Sequence, residues 1–231
     1  MKQKRTTAIV LTRVNYGEAD RIITVLTPDV GKLSLMAKGV RKVKSKLAGG
    51  IELFSTSEIT YLPGRGSVST LVSSRLVRHY EGIVRDINRT MLGYELIALL
   101  HRVTEDALER AYYDLLEHAF AALDDYDVSA DCVGLWFRAQ LIRLAGHTPN
   151  MQTNTAGAKL QANKRYEFDY EAAAFCLRDD GSFDTGTIKF LRLLFAQYTP
   201  RTLSRVQAYE QYSRKLLPLM KTLQQMHLKA S

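Results

Sequence analysis

Five cationic side chains occupy nine consecutive positions, residues 38–46, and no acidic residue interrupts them. They are Lys38, Arg41, Lys42, Lys44 and Lys46. Such a run can neutralise nucleic-acid phosphates, because ammonium and guanidinium groups displace the counterions condensed along the backbone. A solvated loop and a nuclear-localisation-like tract have the same composition. The rest of the chain must therefore decide between these interpretations.

The positive charge of the chain is concentrated at its N-terminal end. The 231 residues carry a formal net charge of +8. Residues 1–80 hold 14 Lys and Arg against 5 Asp and Glu, whereas the remainder is close to neutral. This asymmetry predicts a basic module that binds a polyanion, joined to a neutral module. Nucleic acid is the commoner partner of this kind, and an anionic membrane surface is the less common one.

Residues with catalytic chemistry are not arranged for catalysis. The chain has no GxSxG, HExxH, GxGxxG or phosphate-loop motif, and its five histidines are scattered. Four carboxylates between residues 124 and 131 span a turn between two helices, where capping explains them. The cysteines, Cys132 and Cys176, form no CxxC pair. We therefore expect no enzyme activity, no cofactor and no metal ion.

Membrane insertion and secretion are not indicated by the sequence. No apolar run approaches the roughly 18 to 20 residues that a membrane span needs. The basic N-terminus is followed by a short, interrupted apolar stretch without a small-residue cleavage site. We expect a cytoplasmic protein with no membrane partner.

The first 80 residues show the alternation and turn punctuation of β-strands. Five short strands in so few residues predict a closed barrel of the OB type, because a flat sheet would leave exposed edges. The basic run directly follows the third strand. The predicted strands are 6–14, 21–27, 32–38, 52–62 and 67–78.

From residue 81 onward the apolar period becomes helical, which places a domain boundary there: 1–80 for the barrel and 81–231 for a mainly helical domain. Pro218 is expected to kink or end the last helix. A polar insert at 147–182 contains one predicted hairpin, formed by RYEFDY and AAFCLRD. The fold class is therefore α+β. The predicted helices are 84–103, 108–123, 130–146, 187–198 and 203–220.

Cations spread over the predicted barrel could follow a phosphate backbone together with the basic run. Stacking of bases would also need exposed aromatic rings; Tyr16, Phe54 and Tyr61 are available, although an apolar neighbourhood favours Phe54 as core. The predicted DNA-binding residues are Arg13, Arg21, Lys32, Lys38, Arg41, Lys42, Lys44, Lys46, Arg65 and Arg75.

One segment resembles a known family. Residues 10–55 read VLTRVNYGEADRIITVLTPDVGKLSLMAKGVRKVKSKLAGGIELFS. This order of YGEADR, Gly-Lys, AKGxR, a basic loop and Phe-Ser is similar to the N-terminal domain of the RecO family of bacterial recombination mediators. Later landmarks also fit, namely Tyr94-Glu95-Leu96 and WFRAQLIRLAGHTPN. The resemblance covers essentially the whole chain, and weakly after residue 147.

The resemblance implies an OB fold with a helical domain, working at the bacterial nucleoid. It implies binding of single- and double-stranded DNA, annealing of complementary strands, and binding of the acidic C-terminal tail of the single-stranded DNA-binding protein, SSB. With RecR, such proteins help RecA to load onto SSB-coated single strands in gap repair. From the residues alone, an RNA-binding OB module and a non-catalytic interaction scaffold remain open.

The chain departs from this family at the insert. Many members carry two CxxC pairs there, whereas here the first place reads MQTNTAG and only Cys176 could remain from the second. A structural zinc site needs four ligands. We therefore expect a zinc-free insert.

The SSB tail ends in an apolar residue with a free carboxylate, so its capture needs an apolar groove with arginine at the rim. The third predicted helix offers Arg138, Leu141 and Arg143 beside Trp136. Arg138 is the better candidate of the two arginines, because it lies in the family-like Phe-Arg segment. The alternative is that both arginines are ordinary surface residues.

Overall fold

The computed structural model describes residues 2–104 and 110–228. The chain forms two compact units, Met1–Tyr126 and Asp127–Ser231. Within the described residues, none of the helices combines the length and the apolar character that crossing a membrane requires. The barrel ends at residue 79, close to the predicted domain boundary, and the first compact unit also includes the helices that follow it.

A closed five-stranded barrel forms the N-terminal part of the first unit, as the sequence predicts. Its strand order is β1-β2-β3-β5-β4. The first half of β1 pairs with β4 and its second half with β2, while β3 runs parallel to β5. The strands are β1 (Lys4–Tyr16), β2 (Asp20–Thr27), β3 (Gly31–Ala37), β4 (Ser55–Leu62) and β5 (Val68–His79).

Alternate side chains along these strands fill the barrel, because successive residues of a strand point to opposite faces. Most of them are aliphatic and many are β-branched, the types that fit a pleated surface. The interior includes Ala8, Val10, Ile23, Val25, Leu35, Ile59 and Leu71, all of them buried.

Three helices complete the described part of the first unit: α1 (Glu81–Arg85), α2 (Ile87–Val103) and α3 (Arg110–Asp124). The single helix predicted at 84–103 is broken at Asp86, whose backbone is extended. The Asp86 carboxylate caps α2 by accepting from the Arg89 N–H at 2.9 Å. Residues 108 and 109, where the second helix is predicted to start, lie outside the described residues.

Close packing between α2 and the barrel depends on Gly93. A Cβ atom at this position would lie 2.6 Å from the Phe54 ring. Phe54 is buried and packs edge-on against Tyr94 and Phe120, with ring centroids 5.1 and 5.6 Å apart. Glycine therefore allows α2 to approach the segment that precedes β4.

The second unit is built around one central helix. The helices are α4 (Ala130–Leu144), α5 (Thr185–Phe195), α6 (Pro200–Leu203) and α7 (Tyr209–His227). Every residue of α4 from Cys132 to Ile142 is buried. The helix predicted at 203–220 is instead divided between α6 and α7, and α7 continues through Pro218.

The insert of the second unit forms a four-stranded sheet in the order β6-β8-β7-β9. The predicted hairpin is present as β7 and β8, which pair antiparallel. Two further strands were not predicted, because β6 reads NMQTN without apolar alternation and β9 has two residues. The strands are β6 (Asn150–Asn154), β7 (Arg165–Asp169), β8 (Ala174–Leu177) and β9 (Phe183–Asp184).

Candidate nucleic-acid interface

The basic loop, residues 38–46, is held at both of its ends. The Gly39 N–H donates to the Asp20 carboxylate at 2.6 Å, and the Arg41 N–H donates to the Ala19 carbonyl at 2.9 Å. Just beyond the loop, the Ser74 hydroxyl donates to the Leu47 carbonyl at 2.9 Å. These contacts anchor the loop to the β1–β2 turn and to β5, so its cations stay at one place on the barrel.

All five cations of the basic loop are exposed. Within the part of the chain that the structure describes, none of them forms an ion pair with a carboxylate. Solvent ions therefore balance much of their positive charge, and the Arg41 guanidinium also donates to the Gly17 carbonyl at 3.3 Å. Binding of a polyanion would release those ions and remove the mutual repulsion along the loop.

Two predicted cations of the barrel strands are already paired with carboxylates. Arg13 on β1 donates to Glu52 at 2.6 Å. Arg75 on β5 lies 3.3 Å from Glu58, which Arg5 also contacts. The hydrogen bond from Arg5 is the main reason that the pKa of Glu58 is lowered, and the charge of Arg75 adds to it. The positive charges of Arg13 and Arg75 are therefore partly balanced by carboxylates of the same chain.

Three other predicted residues differ in what surrounds them. The Lys32 ammonium donates to the His101 carbonyl at 3.0 Å, near the C-terminus of α2, where helix carbonyls favour a cation. The Arg21 guanidinium donates to the Asn15 side chain at 3.0 Å. Arg65, in the β4–β5 turn, is exposed.

The strand registers bring only some of these residues together. The loop end of the barrel is defined here by the last residues of β1, β3 and β5 and the first residues of β2 and β4. Arg21 lies there beside the start of the basic loop, because it pairs with Ala37, and Arg13 pairs with Ile23 close by. Lys32 and Arg65 lie toward the opposite end.

The predicted tail-binding residues lie mostly inside the second unit. Arg138 is 3% exposed and donates to the Gly134 carbonyl at 2.8 Å, and Leu141 is fully buried. Arg143 is partly exposed and donates to Gln140 at 2.9 Å. The run CVGLWFRAQLI is apolar on every face of a helix, and this pattern marks a buried helix rather than a surface one.

The two cysteines occupy separate environments. Burial raises the pKa of the Cys132 thiol to about 12, so the thiol is protonated at neutral pH. The Cys176 thiol donates to the Glu167 carbonyl at 3.3 Å, within the insert sheet. Among residues 2–104 and 110–228, no three or more His, Cys, Asp or Glu residues cluster closely enough to hold a metal ion.

The aromatic rings exposed at the surface are not the same set that the sequence suggests for base stacking. Phe54 and Tyr61 are buried, and Tyr16 is exposed. Tyr94 is also exposed, together with Ile87 and Met91 on the same face of α2. Sequence reasoning did not consider Tyr94 as a stacking residue, because helical spacing alone does not show which apolar residues of α2 are exposed. Gly93, on the face of α2 that packs against Phe54, was the signal that could have corrected this.

Taken together, the fold and the site define an OB-type barrel that carries an exposed cationic loop and is followed by a helical region. A family model described as "Recombination protein O N terminal" matches residues 1–80. Among similar proteins, DNA repair protein RecO of Dehalococcoides mccartyi (strain 195) is 30% identical over 79% of this chain and 72% of its own length.

Two further relatives agree with this match. DNA repair protein RecO of Rhodopirellula baltica is 35% identical over 64% of this chain and 55% of its own length. That of Rubrobacter xylanophilus is 29% identical over 64% and 59%, respectively. The chain belongs to the RecO family of DNA repair proteins, and its role is in DNA repair and recombination. The family resemblance of the sequence is thereby confirmed.

Proposed function

We propose that the chain is a non-catalytic recombination mediator. It binds single- and double-stranded DNA through the basic loop and the neighbouring loop end of the barrel. It anneals complementary strands, binds the acidic tail of SSB, and with RecR helps RecA to load onto SSB-coated single strands.

The observation that carries this proposal is the anchored basic loop with five exposed cations and no carboxylate partner among the described residues. Phosphates bound there would lose much of their charge. Two complementary strands could then approach each other with less repulsion, which accelerates annealing without any bond being made or broken.

The partners SSB, RecR and RecA are those that the resemblance to the RecO family implies, and the chain's membership in that family supports proposing them. For the SSB tail, Arg143 is the predicted residue that reaches the surface of the second unit, whereas Arg138 and Leu141 lie in its interior. The proposal therefore retains Arg143 as the arginine that receives the tail carboxylate.

A salt titration of single-stranded DNA affinity tests the proposal, with and without SSB present. If about five cations contact phosphates, log K falls with log salt at a slope of about −3.5. The same oligonucleotide sequence as duplex DNA and as RNA is measured in parallel. A slope near zero would contradict the proposal, and a clear preference for RNA would instead favour an RNA-binding module.

A further inference from the structure

An open groove of about 550 Å³ lies at the loop end of the barrel, within the first unit. We call it the aromatic groove. It lies between the segment that precedes β4, the end of β5 and the helices α1 and α2. Its lining includes Arg13, Phe54, Val84, Arg85, Ile87 and Tyr94.

The groove exposes apolar side chains that water solvates poorly. Ile87 is 70% exposed, Val84 53% and Tyr94 47%. The edge-on contact with Phe54, at 5.1 Å and 69°, holds the Tyr94 ring in position. Three exposed apolar side chains that line one groove make it a candidate binding surface.

Phe54 adds an independent sign of function. Its φ angle is +55°, in the left-handed region that a residue with a bulky side chain rarely adopts. Backbone strain of this kind concentrates at ligand-binding sites, where the surrounding structure maintains it. Here it places the ring under Tyr94 at the floor of the groove.

Cations flank the groove. Arg13 pairs with Glu52 and Arg85 pairs with Glu81, each at 2.6 Å. A guanidinium has five N–H donors, so an ion pair with one carboxylate leaves donors for a phosphate. Arg13 also connects the groove to the side of the barrel where the basic loop begins. Glu52 also lines the groove, so its lining has two arginines against one carboxylate, and this small positive excess favours an anionic ligand that continues along the barrel.

We propose that the aromatic groove binds one unstacked base of a single-stranded nucleic acid. The base stacks on Tyr94 among Val84 and Ile87, and the adjacent phosphates contact Arg13 and Arg85. The inference rests on the proposed function and deepens it. It predicts that single strands bind more tightly than duplexes, because the bases of a duplex are already stacked and paired.

The test uses single-stranded DNA that contains 2-aminopurine, whose fluorescence falls when the base stacks. Tyr94→Ala is expected to weaken single-strand affinity about tenfold and to abolish the fluorescence change. Duplex affinity and the salt slope are expected to stay unchanged, because no cation is removed. Tyr94→Leu keeps apolar bulk without a ring and is expected to weaken binding in the same way.

The matched control is Tyr198→Ala, because Tyr198 in the second unit is also 47% exposed. If Tyr94→Ala and Tyr94→Leu bind single strands as the parent chain does, the base subsite is refuted and a protein partner becomes the occupant to seek. A preserved salt slope in that result would leave the proposed function intact. Failure of the parent chain to bind any strand would refute both.

Discussion

The basic loop and the cations on strands and helices contain the same residue types in different situations. In the loop, five cations are exposed and none has a carboxylate partner among the described residues. On regular elements, Arg13, Arg75, Lys32 and Arg138 each contact a carboxylate or a carbonyl.

The difference shows that a cation without a carboxylate partner offers its full charge to a ligand, whereas a paired arginine offers only the N–H donors that its partner leaves unused. A strand or helix brings acceptors near, because its neighbours are close and ordered. In the loop, Arg41 donates to the Gly17 carbonyl at 3.3 Å, and the four lysines are exposed. A count of cations in the sequence therefore overestimates how many of them contact a ligand. Variants at single positions measure the difference.

Reversal of charge in the basic loop should have the largest effect. Lys42, Lys44 and Lys46 changed together to Glu are expected to lower single-strand affinity at least about 100-fold near 0.1 M salt, with the slope reduced by about 2. Strand annealing, followed by fluorescence, should slow in proportion. The unfolding free energy should change little, because these side chains are exposed.

The matched control reverses three exposed lysines of the second unit, Lys159, Lys164 and Lys221. It makes the same change in net charge at another place. Equal losses in the two triple variants would mean that total charge, rather than the basic loop, governs binding.

Arg138→Ala should reverse the pattern of the loop variants. We expect the unfolding free energy to fall by about 2 kcal/mol, because a buried side chain and its hydrogen bond are removed. DNA affinity should be unchanged. The measurement is urea denaturation, and Arg143→Ala on the same helix is the control, expected within about 0.5 kcal/mol of the parent. A strong loss of SSB-tail binding in Arg138→Ala at normal stability would contradict this interpretation.

Lys32→Met and Lys46→Met make the same chemical change at two positions. At Lys32 we expect about 1 kcal/mol less stability, from the lost contact with the C-terminus of α2, and an unchanged salt slope. At Lys46 we expect unchanged stability and a slope reduced by about 0.7. Urea denaturation measures the stability of the two variants, and salt titration measures the slope of log K against log salt. Equal slopes for both variants would contradict the difference proposed between loop and strand cations.

Much of the barrel was predictable, because alternating β-branched residues and Gly and Pro turns are local signals. The basic loop was predictable because its five cations lie within nine consecutive residues, which is also a local signal. The state of each individual cation was not, since Glu52 lies 39 residues from Arg13 and His101 lies 69 residues from Lys32. Only the closed fold brings such partners together.

The charge of the helical region is a second property that the sequence alone did not predict correctly in detail. Residues 81–126 hold four Lys and Arg against ten Asp and Glu, whereas residues 127–231 hold 14 against nine. One predicted neutral module therefore contains an acidic segment and a basic one that cancel. The acidic segment belongs to the same compact unit as the basic barrel. A sum over a predicted domain conceals this, because the boundary of the unit depends on packing.

For a histidine, the fold can also decide whether the side chain is charged near neutral pH. The rings of His147 and His227 stack with centroids 4.4 Å apart, after the C-terminus of α4 and at the end of α7. Helix carbonyls there favour an imidazolium. Partial burial and the neighbouring imidazole outweigh this and lower the pKa of His227 below its usual 6.5.

This pKa shift predicts the smallest of the effects, a dependence of stability on pH. The folded chain holds His227 neutral, so the unfolded chain binds more protons near pH 6. The stabilisation is present above pH 6.5 and is lost as the pH falls through the lowered pKa. In urea denaturation from pH 8 to pH 5, His227→Gln should lose less stability than the parent chain, because it has no proton to take up. Parallel curves for the two chains would contradict a lowered pKa of His227 in the folded chain.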